Sequence, residues 1–287
     1  MSRQSRRARR SPNDQGAMLP MVLVAVVVLI IAGAMYLLDG DDIDPITSCP
    51  EGGPASVTAV IIDTSDPLGP HQIAAFEKFT ESLIKSPESG ETATVNSDSH
   101  NYVQKGHMLA AYELADQSGQ PRLLFEYCNP GDPDERAVKE KLTEGEILAR
   151  IRWSKFTQEL AAAFPKETLG KTAPTSPIIE TIRYVRRDKY PSPAELKASG
   201  QRAGTIFIIS DMLQNSGRLS HFSSELPAVE NVPSEFALDL TGIDVGIRYL
   251  KFDKYSHLQQ GARPHFIWWR QFFAIAGSPL RLPPDVW

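Results

Sequence analysis

The stretch AVIIDTSDPLGPHQ (Ala59–Gln72) completes an apolar run that begins at Val57, is broken only by Thr58, and stops on Asp63. Thr64 and Ser65 follow at once, then Asp66 and Pro67. A β-branched run of this length, bounded by turn formers, reads as a strand buried on both faces. An acid placed directly after such a strand stands at the rim of a sheet. Pro70 suits the first turn of a helix. Ile73, Phe76, Leu83 and Ile84 then recur near the 3.6 period, which predicts a helix to about Lys85.

Working outward, Thr205–Ile209 (TIFII) is a second continuous apolar run, and it too stops at a hydroxyl and an acid, Ser210 and Asp211. Ile243–Phe252 reads as a further strand. Gly106–Leu114 and Arg122–Cys128 are strand candidates separated by DQSGQP, a short turn that predicts an antiparallel hairpin. Asp134–Phe164 carries helical spacings and reads as one long helix or two short ones. Ser176 is placed to cap a helix with Pro177 at its first position, and Ile178, Ile179, Ile182 and Val185 line one face of it. His265–Ala276 is a last, aromatic-rich helix. Strands alternating with helices predict an α/β fold over residues 57–287: a mainly parallel, doubly wound sheet with one antiparallel edge hairpin.

The first part of the 287-residue chain has a different character. Met18–Leu38 carries no charge over 21 residues, and at about 1.5 Å per residue a helix of that length spans the roughly 30 Å hydrocarbon core. Arg3, Arg6, Arg7, Arg9 and Arg10 precede it, and Asp39, Asp41, Asp42 and Asp44 follow. The positive-inside rule then gives a cytoplasmic tail (1–17), a transmembrane helix (18–38), a linker (39–56) and an external domain. A cleaved signal peptide is the rival reading. Its apolar region would be shorter and would end in a small-x-small site, whereas Tyr36-Leu37-Leu38 closes this one. Of 30 basic and 35 acidic residues, the first 38 positions take five arginines and one aspartate, which leaves the remainder at a net −9. Such a surface argues against a nucleic-acid ligand, which needs a basic face. The layout fits a bacterial inner membrane with the domain in the periplasm.

In a parallel sheet every strand delivers its carboxyl end to one edge, where ligands bind. Asp63 and Asp211 end two strands there, and Thr175-Ser176 can bring hydroxyls to the same edge. Two carboxylates with several hydroxyls form a hard-oxygen shell suited to Mg²⁺ or Mn²⁺, ahead of Ca²⁺. Each residue also has a plainer use. Asp63 and Asp66 can favour the start of the following helix, Ser176 can be a simple cap, and Asp211 can accept loop amides.

Taken together, these residues resemble the metal-ion-dependent adhesion site of the von Willebrand factor A domain: Asp-x-Ser-x-Ser, then a Thr, then an Asp, on three loops. DTSDP matches it as Asp63-x-Ser65-x-Pro67. SPIIETI looks like the family's Thr-bearing helix start, with Ser176 at the threonine position and Thr175 as the alternative. TIFIISDMLQNS looks like the strand ending on Thr-Asp-Gly, with Asp211 as the last ligand. The resemblance covers about 220 residues, and three departures mark it. Pro67 offers no oxygen, Met212 replaces the glycine, and Asp66 is an additional acid able to replace the lost hydroxyl.

What the resemblance implies is a protein-binding or scaffold module. A divalent cation at the rim would complete its shell through an acid of an unidentified protein partner. The alternatives are an extracytoplasmic metal-dependent hydrolase and a structural module whose metal site has decayed. No Gly-x-Ser-x-Gly elbow, no phosphate-cradling loop and no zinc spacing among the six histidines favours an enzyme. In this topology Cys49 leads into the first strand and Cys128 closes the antiparallel one at the same edge. A Cys49–Cys128 bridge is therefore expected, with two separate buried thiols as the alternative.

Overall fold

The computed structural model describes residues 43–86, 101–114, 120–134, 146–164, 169, 172–200, 202–223, 227–259, 263–280 and 285–287. The tail, the apolar segment 18–38 and the first residues of the linker lie outside these. Among the described residues no helix is long and apolar enough to cross a membrane.

The chain forms β1 (Val57–Ile62), α1 (Pro70–Ile84), β2 (Met108–Glu113), β3 (Arg122–Cys128), α2 (Glu146–Ala163), α3 (Ile178–Lys189), α4 (Pro193–Ser199), β4 (Gly204–Ser210), β5 (Ile243–Tyr249), α5 (Ser256–Gln259), α6 (Arg263–Ile275) and β6 (Asp285–Val286). The strands make one sheet in the order β3-β2-β1-β4-β5-β6. Among the described strand pairs the edge pair β2–β3 is antiparallel and the others are parallel. The expected α/β class, the mostly parallel sheet and its antiparallel edge pair are all present.

Period-two alternation within the apolar strands builds two cores. Val57, Ala59 and Ile61 of β1, with Ile206 and Ile208 of β4, face α3 and the aromatic side of α6, where Trp269 and Phe273 are fully buried. Val60, Ile62, Phe207 and Ile209 face α1 and α2 through Phe76, Phe79, Leu83, Phe156 and Leu160. Trp268, Trp269, Phe272 and Phe273 of the last helix are thus core. Gly204 opens β4 at φ 146, and a Cβ there would lie 1.8 Å from the Val57 carbonyl oxygen, so the close approach of β4 to β1 requires glycine.

Several boundaries differ from expectation. The strand expected over Gly106–Leu114 is confined to Met108–Glu113, and the one expected over Ile243–Phe252 stops at Tyr249, before a 3-10 turn over Asp253–Tyr255. Residues 135–145 of the expected Asp134–Phe164 helix lie outside the described residues. The short helix α4 and strand β6 carry too few apolar positions to register as periodic.

One local expectation is corrected. Ser176 does not cap α3: Pro177 occupies the cap position, and no side chain of its own accepts from the first turn. The buried amide of Ile179, left free by the helix start, donates instead to Oε1 of Gln214 at 3.0 Å. This frees the Ser176 hydroxyl for another partner.

Candidate functional site

β1 runs outward to β2 and β3, and the chain then crosses back to lay β4 on the other side of β1. The carboxyl ends of β1 and β4 therefore flank the topological switch point, where an open α/β sheet leaves a crevice for ligands. Asp63 and Asp211 are the residues that follow these two strands. The pairing carries through the last turn: the Asp63 amide donates to the Ile209 carbonyl at 2.9 Å.

Asp63 is the hub. Its Oδ2 accepts the Ser176 hydroxyl at 2.9 Å and the Ser210 hydroxyl at 2.7 Å, and its Oδ1 accepts the Ser65 amide at 2.9 Å. These donors come from three sequence-distant segments, and Asp63, Ser176 and Ser210 are all buried. The backbone holds the same arrangement, since the Ala173 amide donates to the Ser65 carbonyl at 3.0 Å. One residue from Ser176, the Thr175 hydroxyl oxygen is buried with no hydrogen-bond partner. An unpaired hydroxyl of this kind carries a desolvation cost that a cation or a partner's donor would relieve.

Asp211 accepts the Leu213 amide at 2.8 Å through Oδ1. Burial pushes its carboxyl pKa well above the ordinary range. The charges of Asp63 and Asp66 push it further, against the opposing pull of the Leu213 amide and Lys254. Met212 follows in the left-handed region at φ 59, at the position where the resemblance places glycine. A non-glycine residue costs about 1–2 kcal/mol there. The clamp on its carbonyl offsets this: Trp269 Nε1 donates at 2.7 Å and His265 Nε2 at 2.9 Å. Because that carbonyl can only accept, His265 carries its proton on Nε2, and its Nδ1 accepts from the Tyr249 hydroxyl at 3.1 Å.

Asp66 is buried and forms an ion pair with Lys254, a residue 188 positions away in the 3-10 turn after β5. Of the residues singled out from sequence, Asp63 and Ser176 bond directly, Ser65 joins through its backbone, and Asp211 and Asp66 couple through charge. Asp63 and Asp66 do not sit in the first turn of α1, which has no acid. Among the described residues no group of three Asp, Glu, His or Cys side chains is placed to hold a metal ion. A cation at this rim would rely on hydroxyls and water beside its carboxylates.

Sequence reasoning missed Ser210, Lys254 and Gln214. Ser210 carried a signal, a hydroxyl beside the acid that follows β4, as Thr64 and Ser65 stand beside Asp63 after β1. Lys254 and Gln214 carried none. The cysteines are joined, with Cα atoms 4.8 Å apart. No protein-family model matches the chain, and comparisons with curated proteins and with solved structures likewise return no match.

Proposed function

We propose that this chain is a membrane-anchored, extracytoplasmic von Willebrand A-like module that binds a protein partner through a divalent cation at the carboxyl rim of its sheet. The observation that carries the reading is the convergence of Ser176 and Ser210 on the Asp63 carboxylate, with buried Asp211 at the same switch point. The antiparallel edge pair and the order of strands and helices support the resemblance. Asp63, Ser65, Ser176 and Asp211 would hold Mg²⁺ or Mn²⁺, with Asp66 joining once Lys254 lets go. The ion would supply a fixed positive centre for a carboxylate of the partner. Both buried serine hydroxyls donate to Asp63, which orients the carboxylate and activates no nucleophile, so binding is favoured over hydrolysis.

A second reading has one observation in its favour. Lys254 already places a cation on Asp66, and Pro67 supplies no oxygen, so the module could be structural with a decayed metal site. One experiment separates them. Millimolar Mg²⁺ or Mn²⁺ is expected to raise the Tm of the full chain in detergent, and Asp63→Ala or Asp211→Ala abolishes the shift. Lys254→Met then tightens Mn²⁺ binding by about fivefold, the size of a half-exposed ion pair near 1 kcal/mol. No shift in either wild type or Lys254→Met supports the structural module.

A further inference from the structure

The two ends of the sheet differ in kind. The rim with Asp63 and Asp211 is one end. At the other, residues 43–50 form a tight turn: Ile43 bridges to Pro50, the Asp44 amide donates to the Cys49 carbonyl at 2.8 Å, and Cys49 is bonded to Cys128 at the end of β3. The Cys128 amide donates to the Thr47 carbonyl, also at 2.8 Å. This turn is therefore fixed to the domain.

Helix α2 starts at the same end. Lys155 donates to the Ile46 carbonyl at 3.3 Å and lies 5.3 Å from the centre of the Tyr127 ring. Beyond α2 the chain reaches the opposite rim, where the Leu169 carbonyl accepts the Leu68 amide. The first turns of α2 therefore belong with the fixed turn, and there large apolar side chains face outward. Ile147 is 77% exposed, Ile151 58%, Leu148 46%, and Ile46, on the turn itself, 70%. Ile147 and Ile151 are four residues apart, on one stripe of the helix.

The length of chain preceding the turn says what this corner meets. Leu38 ends the apolar segment, and Ile43 is five residues on, a reach of at most about 18 Å. If Met18–Leu38 spans the bilayer, the headgroup region lies within that reach of Ile43. We infer that Ile46 and the Ile147–Ile151 stripe of α2 rest in the lipid interface, so that the domain stands on the membrane with its Asp63–Asp211 rim pointing away. This rests on the anchor proposed above. Lys155 fits such a contact, its stem lying along apolar surface with its charge at headgroup level. Asp44, Asp132 and Asp134 lie near this end as well, so apolar insertion, rather than net charge, is what holds the contact.

The test uses the full chain in nanodiscs of phosphatidylethanolamine and phosphatidylglycerol. Nitroxides are attached to Ile147→Cys and Ile151→Cys, with Arg270→Cys, an exposed position of α6, as the reference, the native cysteines being tied in their bridge. The expected result is relaxation by oxygen over relaxation by aqueous nickel chelate several-fold higher at 147 and 151 than at 270. Equal ratios at all three positions in an incorporated protein overturn the inference and leave the anchor standing. Exclusion of both reagents at 147 and 151 overturns it too, since a second copy or residues 135–145 then cover the stripe. A chain that never enters the nanodisc removes the anchor and the inference together, before any label is read.

Discussion

Burial of Asp211 beside Asp63 and Asp66 means that its ionised form is held against both solvation and like charge. A carboxyl whose pKa is raised on folding binds more protons in the native state than in the unfolded one. Stability therefore falls as pH rises from the unfolded value near 3.9 through the raised folded value, and the penalty is complete above it. Asp211→Asn keeps the oxygen that accepts the Leu213 amide and removes the charge. It is expected to stabilise the chain by about 1–3 kcal/mol at pH 8 in chelator. The gain should shrink towards zero near pH 4. Urea unfolding at the two pH values measures it, and an equal difference at both would mean that charge is not the cause. The same substitution should remove any stabilisation by Mg²⁺, because the penalty at Asp211 is what a bound cation would relieve. His221 carries the opposite sign. Burial, with the neighbouring His265, lowers its pKa to about 3, and His265 is lowered as well. The folded state holds both rings neutral among Tyr249, Trp268 and Trp269, with His221 Nδ1 3.0 Å from His265 Nε2. Stability is then lost as pH falls below about 6.5, by about 2 kcal/mol at pH 5 from His221, with His265 adding in the same direction. In the Asp211→Asn background, where the opposing carboxyl no longer titrates, Tm should fall from pH 8 to pH 5, and adding His221→Phe should flatten that fall.

What could be read from the sequence divides along the elements that carry it. β1, β4 and their terminal acids were legible because a strand's length, its β-branched run and the residue that ends it are adjacent in the chain. The start of α3 was not. Its amide is capped by Gln214, from the loop after β4, and its nearby serine is turned to Asp63. The Lys254–Asp66 pair was equally hidden, for its partners meet only after β5 and β1 have been laid in one sheet. The Cys49–Cys128 bridge fell between these cases: spacing was silent, but strand direction brought both residues to one edge. It closes a loop of 79 positions. In the chain-entropy model a loop of that length is worth about 4.5 kcal/mol. Reduction, or the paired change Cys49→Ser with Cys128→Ser, should lower the unfolding free energy by about that amount in urea titrations. A loss under 1 kcal/mol would mean that the turn at 43–50 is held by its hydrogen bonds alone.

Five arginines, an uncharged 21-residue segment, a bridged turn and an apolar corner stand in the order that the proposed anchor requires. The acid-rich rim stands at the far end of the sheet, about 20 Å away at 3.3 Å per residue of a parallel strand. If the arginines set the orientation, the domain lies where disulfides persist, and a Cys49–Cys128 bond is stable there as it would not be in the cytosol. Orientation and oxidation are thus two readouts of one arrangement. In a bacterial host, alkaline phosphatase fused after residue 287 should be active and a fluorescent protein at the same place dark. Maleimide should label neither cysteine in unfolded extracts until a reductant is added. Replacing Arg3, Arg6, Arg7, Arg9 and Arg10 by glutamine should lower phosphatase activity and raise thiol labelling in the same cells, because chains inserted the other way cannot form the bridge. Phosphatase inactive in the wild type, with both thiols free, would put the domain in the cytoplasm and leave its rim without access to any extracytoplasmic partner.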